Sequence, residues 1–197
     1  METGFQVGSV IYQPESYFVP LEWARVFGRD APVEVDVGCG KGNFLVWVAR
    51  NRPEHNFLGV DRQLKRLRKA DKKVQRAGLT NVRLLRLEFG YVIARLIPSA
   101  SVTAYYIFFP DPWPKRRHAK HRLFRPEFVV ELERTLVQGG EVHLATDDAA
   151  YFEQIRALMG GFELLPPLTW PAEAQTEFER IFLARGQPIY RARWRKA

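Results

Sequence analysis

The chain has 197 residues, 46% of them hydrophobic, with 30 Lys and Arg against 22 Asp and Glu for a formal charge of +8. That length and apolar content exclude a disordered tail and fit one domain with a substantial core, and no apolar run is long enough to span a bilayer. The single Cys39 excludes an intramolecular disulfide framework and fits a reducing cytoplasm. With four scattered histidines it offers no ligand spacing, so no metal is expected.

Residues 1–31 read as an extension packing on the core, with a short helix around 21–27, and residues 32–197 read as one domain. From Pro32 onward short apolar runs alternate with longer amphipathic ones. Strands are expected at 33–37, 56–60, 82–85, 103–109 and 141–145, and helices at 43–50, 64–76, 91–96, 126–137 and 149–159. This alternation predicts an α/β, doubly wound, mostly parallel sheet covered on both faces. After Met159 the rhythm changes: 162–165 reads as a short strand, and 178–184 with 189–194 read as an antiparallel hairpin at the sheet edge. In such a sheet ligands bind outside the carboxyl ends of the strands.

The glycine turn VDVGCGKG places Gly38 and Gly40 between a strand and a helix, where a backbone must approach a ligand closely. The third glycine of the dinucleotide fingerprint and the phosphate-loop pattern are both missing, which weakens the oxidoreductase and NTPase readings. Three carboxylates accompany the turn. Asp61 ends the second strand, where an acid accepts from ribose hydroxyls; Asp36 lies inside the turn motif, suited to an ammonium group; Glu88 follows the third strand. Acids without a pyrophosphate cradle fit a cationic nucleoside cofactor, S-adenosylmethionine, although Asp36 and Asp61 as simple helix caps is the plain alternative.

The run FFPDPWPKRRHAKHRLFR holds Asp111 between two prolines that stiffen its loop. A structural Asx-turn is the bland reading of that aspartate, and Trp113 either packs on the sheet or stacks on a base. Eight basic residues fall within 62–76, six within 115–125 and four within 191–196, the footprint of a phosphate-backbone partner. Lys115, Arg117, Lys120 and Arg122 adjoin the expected pocket. Asp147, in HLATDD, and Glu179, in TEFE, are further candidates to converge with Asp111 on a guanine edge, whose donors carboxylates accept, while Thr176 beside Glu179 says almost nothing alone. A helix N-cap is the commoner role for Asp147.

At these residues the chain resembles the bacterial tRNA (guanine-N7-)-methyltransferase family. PDPWPKRRHAKHRL, HLATD and TEFER recur in order, and with VDVGCGKG and FLGVD they cover most of the chain from Pro32 to Arg180. The resemblance implies a Rossmann-like class I methyltransferase sheet. It also implies transfer of a methyl group from S-adenosylmethionine to N7 of a guanosine in the tRNA variable loop, usually position 46. It implies Asp36, Gly38, Gly40, Asp61, Glu88 and Asp111 on the cofactor side, with Asp111 also catalytic. Lys115, Asp147 and Thr176 through Glu179 fall on the substrate side, and Arg117, Lys120 and Arg122 on the tRNA surface. Aspartates at 36 and 61 stand where the family commonly has glutamates, and Glu88-Phe89 and Asp148 are further departures. The expected partner is tRNA, with no membrane, and the protein is a monomer or a homodimer. The rivals are a methyltransferase with another RNA acceptor and a non-catalytic tRNA-binding protein with a degenerate pocket.

Overall fold

The computed structural model describes residues 8–113 and 122–197. Eight strands form one sheet: β1 (Ile11–Tyr12), β2 (Val33–Val37), β3 (Asn56–Val60), β4 (Val82–Leu85), β5 (Val102–Phe108), β6 (Leu136–Thr146), β7 (Glu163–Leu165) and β8 (Tyr190–Arg195). Their order across the sheet is β1-β4-β3-β2-β5-β6-β8-β7. β1 through β6 pair in parallel, and β8 runs antiparallel to both β6 and β7. The chain therefore winds outward from β2 through β3 to β4, then returns to lay β5 on the other side of β2. The carboxyl ends of β2 and β5 splay their following loops apart, which opens a crevice there.

Side chains alternate across the sheet with period two. On one face Val33, Val35, Leu58, Tyr105 and Ile107 pack against α1 (Trp23–Phe27), α5 (Pro126–Thr135) and α6 (Ala149–Leu158). On the other, Phe57, Leu84, Ala104 and Tyr106 pack against α2 (Asn43–Asn51) and α3 (Leu64–Arg76). β2 departs from a purely apolar run, because Glu34 and Asp36 share this second face and are both buried. Glu34 is neutralised locally by Arg52 at 2.9 Å, His55 at 2.5 Å and the Tyr106 hydroxyl at 2.6 Å. For Asp36 no described residue supplies a comparable donor.

A single turn, α4 (Phe89–Tyr91), continues as a wider π-type turn over Val92–Leu96. The segment expected as the first hairpin strand is instead α7 (Glu177–Ala184). Its β-branched and aromatic residues favour a strand, but Thr176 caps the first turn by accepting from the Glu179 N–H at 3.1 Å. The antiparallel pair at the sheet end is thus β7 with β8, and α7 lies within their connection. Among the described residues no helix is long and apolar enough to cross a membrane.

Candidate active site

A cleft of about 820 Å³ opens at the carboxyl ends of β2, β3, β4 and β5, with α7 across its mouth. Its floor is the turn after β2. Gly38 and Cys39 donate backbone hydrogen bonds to the Val60 carbonyl at 2.8 and 3.0 Å, which ties the turn to β3. Gly38 and Gly40 take φ of +71° and +55°, a conformation that disfavours side chains, and a Cβ on Gly38 would meet nothing within 4 Å. The glycine there leaves open space above the backbone. Gly42 serves packing instead: a Cβ at this position would come within 2.8 Å of the Ala70 Cβ, so its absence lets α2 sit close on α3.

Asp61 closes one side of the floor. Its carboxylate accepts from the Gly40 N–H at 3.1 Å and the Gln63 N–H at 2.7 Å, so one side chain sets both the glycine turn and the start of α3. Asp36 is 4% exposed and lines the same cleft. Burial, and then the negative charge of Asp61, push its carboxyl up to about 8. The negative charge of Asp61 thus opposes ionisation of Asp36, and a cation in the cleft would relieve that. Glu88 also lines the cleft; it is exposed and caps α4 by accepting from the Tyr91 N–H at 3.0 Å.

The loop after β5 carries Asp111, which is exposed at the cleft wall. Phe109 and Trp113 flank it with φ of +55° and +41°, both uncommon for bulky residues. Four contacts hold these conformations. The Phe109 N–H donates to the Ala145 carbonyl at 2.7 Å, and its ring packs on Phe182 of α7 at 5.3 Å. Arg122 donates from Nε to the Pro112 carbonyl at 2.7 Å and from Nη2 to the Trp113 carbonyl at 3.3 Å. It also bonds Gln154 through Nη1 and lies 5.2 Å above the Tyr151 ring. Arg122, expected on the tRNA surface, thus braces the Asp111 loop against α6.

α7 crosses the mouth through Glu177, paired with Lys41 at 2.5 Å, and Phe178, 5.9 Å beneath the Arg66 guanidinium. Thr176 lines the cleft beside them. Glu179 does not: it is buried and ion-paired with Arg191 of β8, anchoring α7 to the sheet. Asp147 follows β6, partly exposed and outside the cleft lining, and Asp148 beside it is the N-cap of α6, accepting from the Tyr151 N–H at 2.8 Å. The structure therefore gathers Asp36, Gly38, Gly40, Asp61, Glu88, Asp111, Arg122 and Thr176 around one cleft and leaves Asp147 and Glu179 beyond it. Lys115, Arg117 and Lys120 lie outside the described residues. Sequence reasoning placed Glu177 and Phe178 on the substrate side but missed Arg66 at the mouth and the helix that carries them; the Thr176–Glu179 capping spacing was the signal that would have put a helix there.

Residues 30–192 match the family described as "Putative methyltransferase". Curated proteins named tRNA (guanine-N(7)-)-methyltransferase align along most of the chain. That of Streptococcus thermophilus is 35% identical over 190 residues, covering 92% of this chain and 88% of the relative. That of Rubrobacter xylanophilus is 37% identical, covering 93% and 85%. The chain belongs to the tRNA (guanine-N(7)-)-methyltransferase family. Two solved structures of lower identity speak to the fold alone. The 16S rRNA methyltransferase KamB superposes with a TM-score of 0.68 at 16% identity, covering 96% of this chain and 99% of that one. A structure described as an antibiotic-related methyltransferase gives 0.65 at 19% identity, with 90% and 96% covered. This family member therefore has a class I methyltransferase sheet, extended by the additional edge strand β1.

Proposed function

We propose that this protein methylates N7 of a guanosine in tRNA, at the variable loop, with S-adenosylmethionine as donor. The observation that carries the reading is the placement of Asp111, on a braced loop, in the same cleft as the paired acids Asp36 and Asp61. The donor set suits the cofactor: an open glycine turn, an acid at the end of β3 for ribose hydroxyls, and a buried acid whose charge a cationic group would stabilise. When bound, S-adenosylmethionine supplies the electrophilic methyl group and the sulfur leaving group.

Guanine N7 presents a lone pair with no proton, so the protein needs no base at the moment of attack. Its task is orientation and electrostatic fit. Asp111 holds the acceptor base or the amino-acid end of the cofactor in line. Thr176 and Phe178 bound the acceptor side of the cleft, and Glu179 acts through its tie to Arg191, keeping α7 seated. Asp36 and Asp61 hold the cofactor against the glycine turn.

The test is labelled methyl transfer to unmodified tRNA, with the product nucleoside identified by mass and mapped by position. N7-methylguanosine in the variable loop is expected. Asp111→Asn is expected to lower turnover by about 10²-fold, the scale of a small misplacement at a reacting centre. Full turnover in that variant, or a different methylated nucleoside, would sink the assignment.

A further inference from the structure

The cleft accounts for a base and a cofactor but not for the rest of a folded RNA. α3 begins at the cleft, where Arg62 and Arg66 form part of the wall, and runs away from it for 13 residues. Leu67, Ala70 and Val74 face the core, and so does the helix's lone acid, Asp71, which accepts from the Val10 N–H at 2.8 Å and the Ser9 hydroxyl at 3.2 Å. Of the eight cations in 62–76, Arg66 pairs with Asp61 at 4.0 Å and Lys73 bonds Asn43, and the other six are left outside. Arg62, Lys65, Arg68, Lys69, Lys72 and Arg76 are exposed, and none forms an ion pair or a side-chain hydrogen bond with a described residue. Elsewhere Arg52, Arg134 and Arg193 sit on Glu34, Glu131 and Glu141.

Folding does not favour this arrangement. Like charges recur at i,i+4 in Lys65–Lys69, Arg68–Lys72 and Lys72–Arg76, which destabilises a helix. The first turn contains no acid, although a helix N-terminus favours negative charge. Four-residue steps place these side chains about 6 Å apart along the axis, and Lys65, Arg68, Lys69 and Lys72 line one shallow groove. Such a row of unpaired cations complements a phosphate backbone.

We infer that the outer ridge of α3 is the docking surface for an RNA helical arm, binding its phosphates without reading its sequence while the target base enters the adjoining cleft. The ridge supplies much of the RNA affinity and its salt dependence, and takes no part in methyl transfer. This inference rests on the RNA-acceptor reading above.

The test uses the full chain carrying K65Q, R68Q and K72Q together, with tRNA binding followed by fluorescence anisotropy across a salt series. A control variant, R50Q, R95Q and R185Q together, removes the same charge from exposed arginines off the ridge. Each phosphate contact contributes about 0.7 to 0.9 to the slope of log affinity against log salt. The ridge variant is expected to flatten that slope by about 2 to 3, raise KM for tRNA about tenfold or more, and leave kcat and S-adenosylmethionine binding unchanged. The control is expected to keep the wild-type slope. A wild-type slope in the ridge variant, or equal flattening in both variants, overturns the inference. If wild-type protein transfers no methyl group to tRNA, the functional reading fails, while the binding slopes still decide whether the ridge holds RNA.

Discussion

Replacing Asp36 by asparagine keeps the shape of the side chain and removes its titration. In the folded protein this carboxyl holds its proton to about pH 8, whereas in an unfolded chain it ionises near 3.8. Between those values the folded state binds one more proton than the unfolded state, so the Asp36 contribution makes stability fall as pH rises. At about 1.4 kcal/mol per pH unit, wild-type protein loses about 3 to 4 kcal/mol from this group between about pH 5 and pH 8. Asp36→Asn loses none of it. Urea unfolding followed by circular dichroism at several pH values gives both curves, and other titrating groups cancel in the difference. The stability of the variant relative to wild type is expected to climb by that amount across the window. A difference that stays flat from pH 5 to pH 8 would show that Asp36 ionises normally and that its burial carries no penalty. Binding should run the opposite way. A cationic cofactor draws the proton from Asp36, so wild-type affinity for S-adenosylmethionine should rise toward pH 8 and the variant should bind more weakly with little pH dependence.

Three other outcomes follow from the packing. Arg122→Lys cannot reproduce the fork that bonds the Pro112 and Trp113 carbonyls and Gln154; single-turnover methyl transfer should slow by about tenfold or more while folding is retained, and an unchanged rate would remove Arg122 from loop positioning. Gly59→Ala would set a methyl group 2.6 Å from Leu45, 2.9 Å from Leu84 and 3.0 Å from Cys39; thermal unfolding should register a loss of about 1 to 3 kcal/mol from overpacking. Hydrogen bonds from His143 and Arg193 hold Glu141 down to about 2. Its folded value lies below its unfolded one, so its contribution is present above about pH 4.5 and lost as pH falls toward 2; acid unfolding of Glu141→Gln should be less steep in that window than wild type.

The parallel half of the sheet was legible in the sequence because its signals are local. Bounds for β2, β3, β4 and α3 follow directly from apolar runs and periodicity. β6 extends upstream to Leu136 through Gly139 and Gly140, residues whose composition reads as a turn. α7 was misread because EFERIFLA carries the strand-forming Phe178, Ile181 and Phe182, while the local capping spacing of Thr176 and Glu179 that favours a helix went unused. The glycine floor, Asp36, Asp61 and Asp111 were found through their places after strands. The roles of Arg122 and Glu179 were not, since each depends on a partner distant in sequence: Gln154 and Tyr151 for one, Arg191 for the other. A charged residue near a pocket looks the same in sequence whether it greets a ligand or braces a loop.

The connection from β7 to β8 leaves the sheet at its edge, passes over the cleft mouth as α7 and re-enters one position further in. Both of its ends are fixed by strand pairing, and little of α7 is buried in the core. Its contacts with the apparatus beneath are specific: Glu177 on Lys41, Phe182 on Phe109 and Glu179 on Arg191. An engineer seeking a new acceptor can vary the exposed positions of this one strap, such as Ile181 and Leu183, provided those three contacts are kept.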